Sequence, residues 1–91
     1  MTEEKGRNPN PIEVIRAEYD KLSRTQRKIA DLLLERGDVA CFLSLNDLSA
    51  MAGVTAVTVV KFSKKLGYNN FSDLKKSLQS YVQTLIGPRN V

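Results

Sequence analysis

The chain has 91 residues, 42% apolar and 26% charged, with a formal net charge of +4 and no histidine. That length suits one domain, and the apolar share excludes an intrinsically disordered chain, which buries too little surface to offset the entropy of ordering. A single cysteine excludes an intrachain disulfide framework, and no run approaches the roughly 18 apolar residues needed to span a bilayer.

The amino terminus, MTEEKGRNPNP, lacks the basic-then-apolar profile of a targeting segment, so a cytoplasmic location without a membrane partner is expected. Residues 1–9 are expected to form a flexible tail and 10–86 a helical domain. Asn10-Pro11-Ile12-Glu13 opens that domain with a cap, a proline at the first helical position and a glutamate placed to close a capping box. Ile12, Ile15, Tyr19 and Leu22 then recur at spacings of three and four, which predicts an amphipathic helix whose stripe ends near Leu22.

Ser23 with Gln26 makes a second capping box, and Ile29, Ala30, Leu32 and Leu33 form the apolar face of the helix it starts. Gly37 is placed to take the left-handed conformation that ends this helix. Residues 38–43 are a short apolar stretch that reads equally as one helical turn or a buried connector. Cys41 lies within it and is expected to behave as a small buried hydrophobe.

Residues 44–66 carry the clearest signal. Ser44 caps a helix of about two turns, Asp47 faces the positive end of its dipole, and Gly53 suits the positive φ of a tight turn. Thr55 caps a second helix, and Leu48, Ala52, Val54, Val59 and Phe62 supply the apolar contacts of a crossing, with Ser49 small enough to allow close approach. This predicts a helix-turn-helix. Removing the buried positions leaves Thr55, Ala56, Val57, Thr58, Val60, Lys61, Lys64 and Lys65 on the free face of the second helix, although Val57 and Val60 would also serve as core.

The chemistry of that face suits double-stranded DNA. Lys61 matches the O6 and N7 acceptors of guanine, Thr55 and Thr58 match phosphates or base edges, and Ala56, Val57 and Val60 match thymine methyl groups. Lys64 and Lys65 are placed for phosphates, although cations in a last turn also complement any helix dipole. Charge supports the assignment: residues 55–91 hold six basic and one acidic side chain, whereas residues 1–22 hold four and five.

Asn70 or Ser72 caps a last helix, and the segment before it is too short for the strands of a wing. Phe71, Leu74, Leu78, Tyr81 and Leu85 make a seam over two heptads, ended by Gly87-Pro88. It suits packing on the domain's own first helix, or a homodimer that spaces two reading helices roughly 34–36 Å apart on a palindrome. The expected fold is therefore all-α, a bundle of about five helices. Enzymatic chemistry finds no parts here: there is no histidine, no glycine-rich phosphate loop and no carboxylate cluster for a metal, so neither cofactor nor catalytic residue is assigned. Asn70-Phe71-Ser72 matches a glycosylation sequon but reads as a cap and loop. The competing reading is a helical protein-interaction or dimerisation domain that uses the seam and binds no DNA.

Four segments in order carry a family resemblance: Leu22-Ser-Arg-Thr-Gln-Arg-Lys-Ile-Ala-Asp, Phe42-Leu-Ser-Leu-Asn-Asp-Leu-Ser, Ala52-Gly-Val-Thr-Ala-Val-Thr-Val-Val-Lys-Phe-Ser-Lys-Lys-Leu-Gly-Tyr and Asn70-Phe-Ser-Asp-Leu-Lys. Over residues 12–85 the chain resembles the N-terminal domain of RpiR-family bacterial transcriptional regulators. The resemblance implies a homeodomain-like helical bundle that binds operator DNA, with Ser44 and the second-helix residues above at the interface. It also implies a following sugar isomerase (SIS) domain that binds a phosphosugar effector, with 87–91 a tail or the start of the linker to it. Lys61 stands where the family pattern more often has arginine, and lysine lacks the rigid bidentate fork of a guanidinium.

Overall fold

The computed structural model describes residues 10–86, with side chains through Thr84. The expected tails at 1–9 and 87–91, the stop at Gly87-Pro88 and the side chain of Leu85 lie outside the described residues. Within them the chain forms five α-helices: α1 (Pro11–Glu18), α2 (Arg24–Ala40), α3 (Leu45–Ala52), α4 (Ala56–Lys65) and α5 (Phe71–Ile86), with no strand among the described residues.

Each helix starts where a polar side chain satisfies backbone N–H groups that the first turn leaves without partners. Asn10 Oδ1 accepts from the Ile12 N–H at 2.9 Å, with Pro11 next to it at the start of α1. Ser23 and Gln26 make the reciprocal box at α2: Ser23 Oγ accepts from the Gln26 N–H at 3.2 Å, and Gln26 Oε1 accepts from the Ser23 N–H at 3.0 Å. At α5 the cap is Asn70, whose Oδ1 accepts from the Asp73 N–H at 2.8 Å. Ser72 lies inside the helix.

Two helix ends differ from the sequence reading. The first apolar stripe continues past its helix: α1 stops at Glu18, Tyr19–Lys21 tighten into a 3-10 turn, and Leu22 follows in extended conformation, still buried. Arg27 holds this turn, donating from Nε to the Tyr19 carbonyl and from Nη2 to the Asp20 carbonyl, both at 3.2 Å, with its guanidinium 5.2 Å from the Tyr19 ring centre. The Tyr19 hydroxyl donates to Asp31 Oδ1 at 2.7 Å, and that carboxylate holds the phenolic proton, raising the tyrosine pKa above its ordinary value.

Gly37 does not end α2. The irregularity falls one residue earlier, at Arg36 (φ −132°, ψ 36°), and the helix resumes through Ala40 with a Cys41 N–H to Gly37 carbonyl bond of 3.0 Å. Among the described glycines only Gly53 and Gly67 take positive φ. The ambiguous stretch is thus the last helical turn plus a loop, and it is buried on one side only. Ala40 and Cys41 face the core, which leaves Val39 and Phe42 outward, the latter 68% exposed. Burial pushes the Cys41 thiol pKa up, and Gln79 of α5 donates from Nε2 to the Cys41 carbonyl at 2.9 Å, tying the loop down from across the domain.

The core is one cluster: Ile15 from α1, Leu22, Ile29, Ala30, Leu33, Ala40 and Cys41 around α2, Leu48 from α3, Val59, Phe62 and Leu66 around α4, and Leu74, Leu78 and Val82 from α5. α5 packs against α1, α2 and α4, so its seam lies within this domain's own interior, with Val82 buried beside the expected Leu74 and Leu78 while Phe71 and Tyr81 are half-buried. No helix among the described residues is long and apolar enough to cross a membrane.

Candidate nucleic-acid interface

The turn between α3 and α4 is built from bonds spanning six residues or fewer. Ser44 Oγ accepts from the Asp47 N–H at 3.0 Å and starts α3. Leu48 and Ser49 are its buried residues, and the Ser49 hydroxyl donates back to the Leu45 carbonyl at 2.7 Å, so a polar group at the crossing carries its own partner. The helix ends at Gly53, whose φ of 75° and ψ of 33° are left-handed. The Gly53 N–H donates to the Ala50 carbonyl at 3.2 Å and the Val54 N–H to the Ser49 carbonyl at 2.9 Å, the paired bonds of a Schellman turn.

Val54 is half-buried against the core, and Thr55 Oγ1 accepts from the Thr58 N–H at 3.2 Å to start α4. Val59, Phe62 and Ser63 are the buried residues of α4, and the Ser63 hydroxyl is satisfied by the Val59 carbonyl at 3.0 Å. The helix ends like α3: Gly67 at φ 102° lets the Gly67 N–H reach the Lys64 carbonyl at 2.9 Å and the Tyr68 N–H reach the Ser63 carbonyl at 3.1 Å. The Tyr68 hydroxyl then bonds Ser77 Oγ at 2.9 Å, fixing the exit of α4 to α5.

An added Cβ at Gly53 meets nothing within 4 Å, so substitution there strains only the backbone. Gly53→Ala is expected to cost roughly 1–2 kcal/mol in a urea titration with an unchanged slope, and Gly53→Asn less, because asparagine tolerates the left-handed region better. An alanine variant as stable as the parent would mean that the turn opens without consequence.

The structure places the predicted face as follows. Ser44, Thr55, Val57, Lys61, Lys64 and Lys65 are exposed, and Ala56, Thr58 and Val60 are half-buried. At roughly 100° per residue, Val57, Lys61 and Lys64 fall within one sector of about 60°, and Val59, Phe62 and Ser63 lie on the opposite side. Val60 and Ala56 flank the sector on the shoulder nearer the core, which separates them from Val57, at 61% exposure the outermost valine of the helix. α4 contains no acidic residue, so its free face is uniformly basic or neutral.

One interaction at the face is absent from the sequence reading. The Thr55 and Thr58 hydroxyls lie 3.0 Å apart and bond to each other. The signal was the spacing of three between a capping threonine and a second threonine, which puts both hydroxyls at the same N–H. Among the described residues no group of three or more His, Cys, Asp or Glu side chains could hold a metal ion.

The model of the helix-turn-helix domain of the rpiR family matches residues 10–85. The chain is 45% identical over 64 residues to the uncharacterized HTH-type transcriptional regulator YfhH of Escherichia coli, and 27% identical over 67 residues to the HTH-type transcriptional regulator RpiR of the same organism. These alignments take in 70% and 74% of this chain, but the chain spans only 23% of either relative's length. Among solved structures, the N-terminal domain of the Bacillus subtilis transcriptional regulator YbbH superposes with a TM-score of 0.77 at 29% identity, covering 87% of this chain and 93% of that one. The matched stretch contains every element from α1 to α5 but the final residue, and the exposed stripe of α4 lies inside it: the chain belongs to the rpiR family of helix-turn-helix domains.

Proposed function

We propose that this domain binds double-stranded DNA sequence-selectively, with α4 laid in the major groove, as the reading domain of a bacterial transcriptional regulator. The observation that carries the proposal is the exposed stripe Val57, Lys61 and Lys64, free of acidic neighbours on α4 and held outward by the burial of Val59, Phe62 and Ser63. Lys61 donates to guanine acceptors from the middle of the stripe, and Lys64 and Lys65 neutralise phosphates from its end. Ser44, Thr55, Ala56, Thr58 and Val60 border the groove.

Two copies on a palindrome would add the affinity that one short helix lacks. The resemblance to RpiR-family regulators supports a role in sugar or phosphosugar metabolism, with a phosphosugar effector bound by a following domain. The protein-interaction reading loses its surface, because Leu74, Leu78 and Val82 already pack inside this domain.

Selection from a random pool of DNA duplexes should enrich a defined site. On that site Lys61→Ala is expected to cost roughly 1–3 kcal/mol and relax one base preference. Lys64→Ala should weaken all sequences about equally and reduce the salt slope by about one. Equal tolerance of both changes would remove α4 from the interface.

A further inference from the structure

We propose that Val57 reads the 5-methyl group of a thymine, so that the selected site contains a thymine within about two base pairs of the guanine that Lys61 contacts. The proposal rests on the groove-reading role of α4 given above and assigns the base chemistry of its first turn.

Val57 lies at the centre of the outward sector and does not pack against the hydrophobic core. A lone exposed valine is ordinary on a protein surface, but here it occupies the first turn of a helix whose free face is otherwise basic. Nothing in the fold calls for it: valine has lower helix propensity than alanine, and its branched side chain meets water. The polar side chains beside it are engaged elsewhere. Thr55 Oγ1 accepts from the Thr58 N–H, and the two threonine hydroxyls bond each other at 3.0 Å, so turning Thr55 toward a base edge dismantles the cap of α4 and turning Thr58 breaks the bond between the hydroxyls. What the first turn offers freely is the pair of methyl groups on Val57.

The major groove presents one apolar group, the thymine 5-methyl, and hydrocarbon contact there discriminates T from C without a hydrogen bond. Lys61 is four residues on, about 6 Å along the helix, and bases rise about 3.4 Å per step along a strand, which sets the expected spacing between thymine and guanine. The basic charge of Lys61 and Lys64 on the same stripe brings the backbone close enough for a van der Waals contact.

The test replaces each thymine of a duplex selected from a random pool with deoxyuridine, one at a time, and measures affinity of the 91-residue chain. At one position, near the guanine whose preference Lys61→Ala relaxes, loss of the methyl should weaken binding about fourfold, the equivalent of one buried CH2 group. In Val57→Ala the same replacement should change affinity less than about 1.5-fold, whereas Val57→Thr, which keeps one methyl, should retain part of the difference. If no deoxyuridine position matters, or if the penalty persists unchanged in Val57→Ala, the assignment is overturned while selective binding stands. A pool that yields no enriched sequence overturns both this assignment and the groove-reading role of α4.

Discussion

Leu78→Asp is expected to unfold the domain. Leu78 is 1% exposed in the middle of α5 and belongs to the same apolar cluster as Ile15, Leu33 and Phe62. The substitution forfeits roughly 1.5–3 kcal/mol of leucine burial and places a carboxylate where desolvation costs several kcal/mol more, with no cation in the cluster to offset it. A single domain has only about 5–15 kcal/mol in total. Far-UV circular dichroism at neutral pH should therefore show lost helicity, and Leu78→Met, which conserves volume, should lose less than about 1.5 kcal/mol.

The pH dependence has a definite sign. Burial raises the folded-state pKa of an aspartate above its unfolded value near 3.9, so the folded state binds more protons between the two values. The penalty is present in full above the folded pKa and shrinks as pH falls through it, so partial refolding is expected on mild acidification. A Leu78→Asp chain that keeps a cooperative unfolding transition at neutral pH, and merely falls from dimer to monomer in sedimentation, would return the seam to an interface role.

Phe62→Ala should cost roughly 3–5 kcal/mol, the range for removing a fully buried aromatic side chain and leaving a partly collapsed cavity. Phe62 is 0% exposed and is the largest of the fully buried side chains, on the helix that touches α2, α3 and α5 together. Its loss removes the strongest anchor opposite the exposed stripe, so DNA affinity should fall along with stability, while Val57→Ala on the outer side leaves stability almost unchanged. The denaturant midpoint and m-value separate a lost contact from a changed denatured state. A cost near 1 kcal/mol would mean that α4 is held mainly by its end caps and Tyr68, not by packing.

The caps and turns were legible because their chemistry is local. Ser23 with Gln26, Ser44, Gly53 and Thr55 each bond backbone groups two to five residues away, and such bonds depend little on what the rest of the chain does. The same locality explains why the helix-turn-helix could be placed at residues 44–66. Gly37 shows where local reasoning stops: its neighbours Ala40 and Cys41 fill the core, and that burial carries α2 beyond the point where propensity favours ending it. Phe42 is the other side of this geometry, pushed outward because Cys41 faces in.

Residue order alone therefore settled the helical class, the starts of α1 to α4, the glycine turn and the basic bias of the last third, since each is a property of neighbouring side chains or of summed charge. Only the tertiary structure decided that Val57 faces solvent while Val60 is half-buried, that the Thr55 and Thr58 hydroxyls are mutually engaged, and that the α5 seam closes on its own domain. Val57 and Val60 are chemically identical, and what distinguishes them is the position of α2, α3 and α5 around the helix, a packing result that no short window of sequence contains.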